Sequence, residues 1–457
     1  MANSFQESLE NLNLRCILQP YGISVVAMNT RSLSENQGND EMRYRILCAF
    51  WAFAPLYALS ATRVEDTRLY ATADQWRTSY VEDLERFSNI DSGTSDTAGL
   101  AIVENLISAQ LKQLGAQVSI YPASPGASNI VIGKLEGSGE KNIMLMIHYD
   151  TVFQKGDTQK RPFSTNGNIA HGLGVADAKG GVLLVLYIAK VLQQSKFDEY
   201  RTLTLLFNPD EEIGSPGSNK KFSEIAQHQD YIFIYEPPKG DSVTVGTRGV
   251  ARLELKVTGR TAHAGANPEE GRNAAVELVN QVGNLKSLGN NEKDTSVNWT
   301  VLNAGSRFNV IPDIATATAD VRVYDTSEFD RIQKDANAAI THKIIDQTQV
   351  EVAVVPVVPP LARNRSTDCL AAIARDIYQE LGRKLEYQVM RYGTDAGFMY
   401  NAADNAPVIL DGMGISGANL HSLDEWADLN TVVPRIYLGV RLIEELTKPG
   451  PNLVCEI

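Results

Sequence analysis

Ile143-Met144-Leu145-Met146-Ile147-His148-Tyr149-Asp150 is an apolar run that ends in a histidine and an aspartate one residue apart. It reads as a buried strand, and because side chains alternate along a strand, His148 and Asp150 project to one side while Tyr149 does not. An imidazole and a carboxylate therefore share one crevice. Around this run, residues 129–135, 202–208 and 231–235 are further short apolar strands, and residues 74–90, 97–114 and 178–194 carry helical periodicity. Strands alternating with helices are the pattern of an α/β fold with an open, mostly parallel sheet flanked by helices.

After Gly246 the rhythm changes. Strand patterns at 252–257, 296–302, 315–323 and 349–355, with helical patterns at 273–288 and 327–345, predict an inserted α+β domain, a four-stranded antiparallel sheet with two helices on one face. The α/β rhythm returns with a helix over 367–381, a strand over 407–410 and a helix over 433–446. The expected organisation is an N-terminal extension (1–65), a main domain in two parts (66–246 and 357–457) and the insertion (247–356).

Length and charge bound the function. The 457 residues suffice for about two domains, and 43% apolar with 21% charged residues exclude a disordered or multi-span membrane chain. A formal charge of −13 offers no broad basic face for phosphates, so nucleic acid is not an expected partner. Met42-Arg43-Tyr44-Arg45 followed by the apolar residues 46–61 is too short to span a membrane, which takes ~20 apolar residues. With its basic start and the small-residue exit at Ala58-Leu59-Ser60, it reads as a secretory signal peptide over 42–60, with translation starting at Met42. A periplasmic or secreted mature protein without a membrane span follows. The alternative is an amphipathic helix on a cytoplasmic protein.

Four cysteines without a paired spacing leave any metal site to His, Asp and Glu. Three more features resemble the His148-Tyr149-Asp150 end. Gly172-Leu173-Gly174-Val175-Ala176-Asp177 sets Asp177 before a long helix; Phe207-Asn208-Pro209-Asp210-Glu211-Glu212 carries a strand into three acids; Ile234-Tyr235-Glu236 ends a strand in one. Each has a plain structural explanation taken singly: an ordinary histidine, a helix cap, a solvated loop. All four lie at or just beyond strand C-termini, where open α/β sheets form their ligand crevices. So many carboxylates in one crevice repel one another unless cations neutralise them, and an N/O donor set without thiolate suits Zn²⁺ best, with Mn²⁺ or Co²⁺ as substitutes. A second histidine should come from Asn419-Leu420-His421-Ser422. His171, His228 and His342 read as surface residues; His263, in the small-residue loop Thr261-Ala262-His263-Ala264-Gly265, could be a plain turn histidine.

Taken together, these segments closely resemble the dinuclear-zinc exopeptidase family that includes aminoacylases, desuccinylases and glutamate carboxypeptidases, above all its bacterial carboxypeptidase G type. The likeness covers roughly residues 74–446 and rests on His148-x-Asp150, Asp177, Glu211-Glu212, Glu236-Pro237 and His421 in family order. It implies two Zn²⁺ per chain. Asp177 would bridge them, His148 and Glu236 would complete one ion, and Glu212 and His421 the other. Asp150 would orient His148, Glu211 would be the general base, and the Asp177–Ala178 peptide would be cis. The insertion would be a lid and homodimerisation domain whose His263 reaches the partner's site to stabilise the oxyanion. Asn298, Gly393 and Thr394 would meet substrate, and Arg322 would either do so or serve a structural role. One departure is Val357-Val358-Pro359-Pro360-Leu361, where glutamate carboxypeptidases carry an arginine for the substrate α-carboxylate; the nearest here are Arg363 and Arg365. His171 stands where relatives often have tyrosine. The implied activity is hydrolysis of the amide before a C-terminal amino acid, glutamate by preference, in small peptides or N-acyl amino acids. An aminoacylase or dipeptidase of other side-chain preference, and a catalytically silent dimeric binding protein, are the alternatives.

Overall fold

The computed structural model describes residues 64–125, 128–400 and 406–448, with the backbone of two paired strands, Cys16–Gln19 and Gly22–Val25. The expected signal peptide over 42–60 lies outside the described residues.

Strands that are apolar on both faces need cover on both faces, which places them at the centre of a sheet between helical layers. The main sheet runs in the order Val408–Leu410, Tyr231–Ile234, Asn142–His148, Thr202–Asn208, Asn129–Glu136 and Gln117–Pro122. The first four are mutually parallel, and the last two are antiparallel additions at one edge. The edge strand Gln117–Pro122 is half-buried or exposed throughout, so it lacks the apolar signature that marks its neighbours. Lys179–Gln194 is apolar around nearly its whole circumference and is buried accordingly, packed on Asn142–His148 and on the closing helix Val432–Thr447. Each of its fully buried leucines and valines contributes about 1.5–3 kcal/mol relative to exposure.

The helix expected over 74–90 is two helices, Thr67–Gln75 and Arg77–Ser88. The first starts early because the Asp66 carboxylate accepts the N–H groups of Arg68 and Leu69, satisfying donors that a helix start leaves open. They meet at Trp76, whose indole stacks edge-on against Tyr187 at 5.7 Å and donates to Gln194 at 2.8 Å.

The second sheet, in the order Ser296–Ala304, Ile314–Val323, Gly249–Thr258 and Gln349–Val358, is antiparallel throughout. Its two central strands alternate strictly. Ala251, Leu253, Leu255 and Val257 face the helices Ala274–Asn284 and Ser327–Ala339, while Arg252, Glu254 and Lys256 face away. Both helices are shorter than expected from the pattern at 273–288 and 327–345. The buried Glu277 carboxylate takes the N–H groups of Ile344 and Ile345, and the His342 carbonyl accepts from Asn280, Gln281 and Asn284. Those backbone groups are thereby withdrawn from the helix ladder.

A third, small sheet has strands too short to register in the sequence: Gly417–Ala418, Trp426–Asp428, Ile169–His171 and Ser164–Asn166. It fastens the hairpin that carries His421 to the strand just before the glycine-rich loop. His171, expected on the surface, lies half-buried on this sheet with a buried, unpartnered Nδ1. Among the described residues no helix is long and apolar enough to cross a membrane.

Candidate metal centre

Parallel strands end together, and their C-terminal ends gather the polar residues that each segment delivers alone. His148 closes its strand, Glu211 and Glu212 open a short turn beyond Thr202–Asn208, and Glu236 follows Tyr231–Ile234 by two residues. Asp177 precedes Lys179–Gln194, and the Asp177–Ala178 peptide is cis. His421 sits in the hairpin loop at φ 62°, a left-handed conformation uncommon outside glycine.

Asp177 is the hinge of the arrangement. His148 Nε2 lies 3.1 Å from its Oδ1 and 3.6 Å from Glu236 Oε1. His421 Nε2 lies 3.2 Å from its Oδ2 and 3.2 Å from Glu212 Oε2. One carboxylate thus faces two imidazoles, each accompanied by its own glutamate. On the far side of His148, Nδ1 meets the Asp150 carbonyl at 3.1 Å and its Oδ1 at 3.2 Å. Both partners only accept, so Nδ1 carries a proton and Nε2 is the nitrogen turned into the cluster, where a metal would displace its proton. Asp150 also accepts from the backbone N–H groups of Glu211 and Glu212 and from the Thr94 hydroxyl at 2.6 Å.

The electrostatics are those of a donor set short of positive charge. Burial, with repulsion from Glu236, Asp395 and Glu212, pushes Glu211 well above the carboxylate range against the pull of His148. Burial and nearby carboxylates do the same to Glu236, and burial lifts Asp395 and Asp411 to about 7. His148 is driven down by burial, but Glu236, Asp150 and Asp177 hold it well above its ordinary value. Hydrogen bonds to Asp177 and Glu212 raise His421 to about 10. Protons thus occupy places that cations would take, since metal binding displaces protons from such ligands. Glu212 Oε1 is buried with no hydrogen-bond partner, an orphan that a cation would satisfy. His148, Asp177 and Glu212 each offer an atom within 4.8 Å of the others, and the set holds only nitrogen and oxygen donors. The residues present fit divalent metal.

A cleft of about 620 Å³ opens over the cluster, with Arg252, Arg322, Tyr392, Gly393 and Thr394 among its walls. The Thr394 hydroxyl donates to Asp411 at 2.7 Å. Gly393 passes so close to the second sheet that a Cβ would meet Val250 Cγ2 at 3.0 Å and the Arg248 carbonyl at 3.1 Å. His263 and Asn298 are exposed and line no part of this cleft. His263 Nδ1 accepts the N–H groups of Gly265 and Ala266, which leaves Nε2–H as an outward donor. Arg363 is turned onto Asp368 at 2.8 Å, and neither it nor Arg365 lines the cleft.

Sequence reading missed Glu425 and Asp395. Glu425 is fully buried and accepts the N–H groups of Gly174, Ala176 and Asp177 at 2.8–2.9 Å. Asp395 accepts from Asn208 at 2.7 Å and from the Ser215 hydroxyl, under the turn that carries Glu211. The one local signal for Glu425 is an acid four residues after His421, leading into an apolar strand.

A model of peptidase family M20/M25/M40 matches residues 144–445. The chain is 35% identical over 400 residues to carboxypeptidase G2 of Pseudomonas sp. (strain RS-16), covering 86% of this chain and 95% of that one. Among solved structures, the aminopeptidase PepT of Bacillus cereus superposes with a TM-score of 0.69 at 20% identity, over 81% of this chain and 99% of that one. A dinuclear metal-binding peptidase of the M20 family from Bacillus subtilis superposes with a TM-score of 0.60 at 15% identity, over 81% and 97%. These two likenesses concern the fold.

Proposed function

The chain belongs to peptidase family M20/M25/M40 and is a hydrolase, and from that premise we propose that it is a dinuclear zinc exopeptidase. It cleaves the amide before a C-terminal amino acid, glutamate by preference, in small peptides or N-acyl amino acids. The observation that carries this reading is the Asp177 carboxylate, with one oxygen toward His148 and the other toward His421. Asp177 would hold both ions, His148 and Glu236 one of them, Glu212 and His421 the other. Bound divalent cations supply Lewis acidity, polarising the scissile carbonyl and acidifying water at the site. Asp150 fixes the tautomer of His148 and, through two backbone N–H groups, the turn that presents Glu211 to the cleft. The Glu211 carboxylate takes a proton from the attacking water and hands it to the leaving nitrogen. Gly393 and Thr394 shape the wall against which substrate lies.

Metal analysis with an amino-acid release assay tests the proposal. Two zinc ions per chain are expected, with release from N-acyl-glutamate that falls at least about 100-fold on chelation and returns with zinc. Zinc-loaded protein that releases no amino acid from any N-acyl substrate refutes the reading. A second reading, an acylase of different side-chain preference, is favoured by Val357 and Val358 in the cleft wall and by Arg363 on Asp368. Faster release from N-acyl derivatives of apolar amino acids would select it.

The inserted sheet would serve as lid and dimer interface. The exposed Val276 and Val279 on one helix and Val301 and Leu302 on the edge strand Ser296–Ala304 support this, as does His263, which is exposed, lines no part of its own cleft and uses only Nδ1 within its loop. His263 and Asn298 would then act on the partner's substrate. Val279→Glu should turn a dimer into a monomer in sedimentation velocity, and His263→Ala should keep the dimer while lowering kcat about 100-fold, the usual cost of one oxyanion donor. A monomeric wild type overturns this arrangement. The basic start and apolar run within 42–60 support export of the mature chain.

A further inference from the structure

The cleft has two chemically different walls. One is the carboxylate-rich metal cluster; the other is the open face of the second sheet, where Val250, Arg252 and Arg322 look across at it. Arg252 and Arg322 lie on adjacent antiparallel strands, Arg252 opposite Asp320 and Arg322 opposite Val250, so alternation puts both on the same face. Their circumstances differ. Arg322 is spent on Asp320, with Nε at 3.0 Å from both carboxylate oxygens and Nη2 at 2.8 Å from one. Arg252 is held through Nε alone, by Glu254 at 3.0 Å. Among the described residues its Nη1 and Nη2 have no partner, and its side chain is 56% exposed. A guanidinium tethered at Nε and open at its terminal nitrogens presents the fork that matches a carboxylate.

An amino acid entering this cleft with its acyl nitrogen toward the metal cluster brings at least one carboxylate. With the cluster's carboxylates taken up by cations, the guanidinium groups available to that carboxylate in the cleft lining are those of Arg252 and Arg322 on the opposite wall, and Arg322 is already paired. Arg363 faces elsewhere.

We propose that Arg252 is the specificity-determining residue that grips a carboxylate of the substrate's C-terminal amino acid, an inference that rests on the exopeptidase reading above. Bidentate pairing at the lid wall holds the substrate across the cleft and selects acidic C-terminal residues over neutral ones if the side-chain carboxylate is gripped, or free C-termini over blocked ones if the α-carboxylate is.

The test uses the zinc-loaded full chain and three substrates: N-acyl-glutamate, N-acyl-glutamine and N-acyl-glutamate α-amide. With N-acyl-glutamate, Arg252→Gln should raise KM about 10- to 100-fold and leave kcat within about threefold, because a charge-assisted pair made equally in ground and transition states is uniform binding. Arg252→Lys should recover part of the KM. The penalty should vanish for whichever neutralised substrate lacks the gripped carboxylate, which identifies it. Equal KM values for wild type and Arg252→Gln on all three substrates, or an equal loss of kcat on all three, overturn the proposal while leaving the hydrolase intact. A zinc-loaded wild type that turns over none of them overturns both.

Discussion

If Glu211 is the general base proposed above, Glu211→Gln is expected to keep the bound metal and lose about 10²–10⁴-fold in kcat, the range that one well-placed general base contributes. The amide matches the carboxylate in size, and the Glu211 backbone N–H stays on Asp150, so the turn and Glu212 beside it hold their positions. What disappears is the ability to take a proton. The same change removes a carboxylate that burial and the neighbouring Glu236, Asp395 and Glu212 already disfavour as an anion. The metal-free variant should therefore melt no lower than the metal-free wild type. Steady-state kinetics beside metal stoichiometry check the pair of effects together. Lost turnover with lost metal would make Glu211 part of the donor set, and turnover within about tenfold of wild type would move the proton transfer to another group.

How far the sequence discloses such a site depends on where each residue's partners lie. His148, Glu211, Glu212 and Glu236 sit at or just beyond the end of an apolar strand, and Asp177 just ahead of an apolar helix, so the element that buries each run also announces the residue. Arg252 was passed over because it is one charged residue in an alternating strand, indistinguishable from Glu254 and Lys256 until the cleft wall is known. Helix ends failed for a related reason: Glu277 takes the backbone donors of Ile344 and Ile345 from across the domain, and no window along the chain contains both partners. The small sheet behind His421 pairs strands of two and three residues, below any length at which periodicity has meaning.

Glu425 is the clearest case of a residue that only the folded chain reveals, and removing it should cost metal affinity without touching a metal donor. Its carboxylate accepts three backbone N–H groups from the glycine-rich loop, the last from Asp177 itself, 248 residues away in the chain. The loop adopts the required turn because Gly174 stands at φ 77°, where a Cβ would also press on Thr151 Cγ2 at 2.9 Å. His421 lies four residues before Glu425 in the same hairpin, so this one side chain sets the two halves of the proposed centre against each other. Alanine would leave three buried donors unanswered, each worth about 1–3 kcal/mol, and part of that loss would be recovered by water. A destabilisation of about 3–5 kcal/mol is expected, with a 10- to 100-fold weaker hold on metal, the usual effect of losing a group that orients ligands. Glutamine, which keeps one acceptor but turns an amide donor toward N–H groups, should fall between alanine and wild type. Chelator competition measures the affinity and thermal melting at saturating zinc measures the stability. If Glu425→Ala lowered the melting temperature but bound zinc as tightly as wild type, the hairpin and the loop would be set in place by the small sheet alone, and Glu425 would be a stabilising residue with no part in aligning Asp177 with His421.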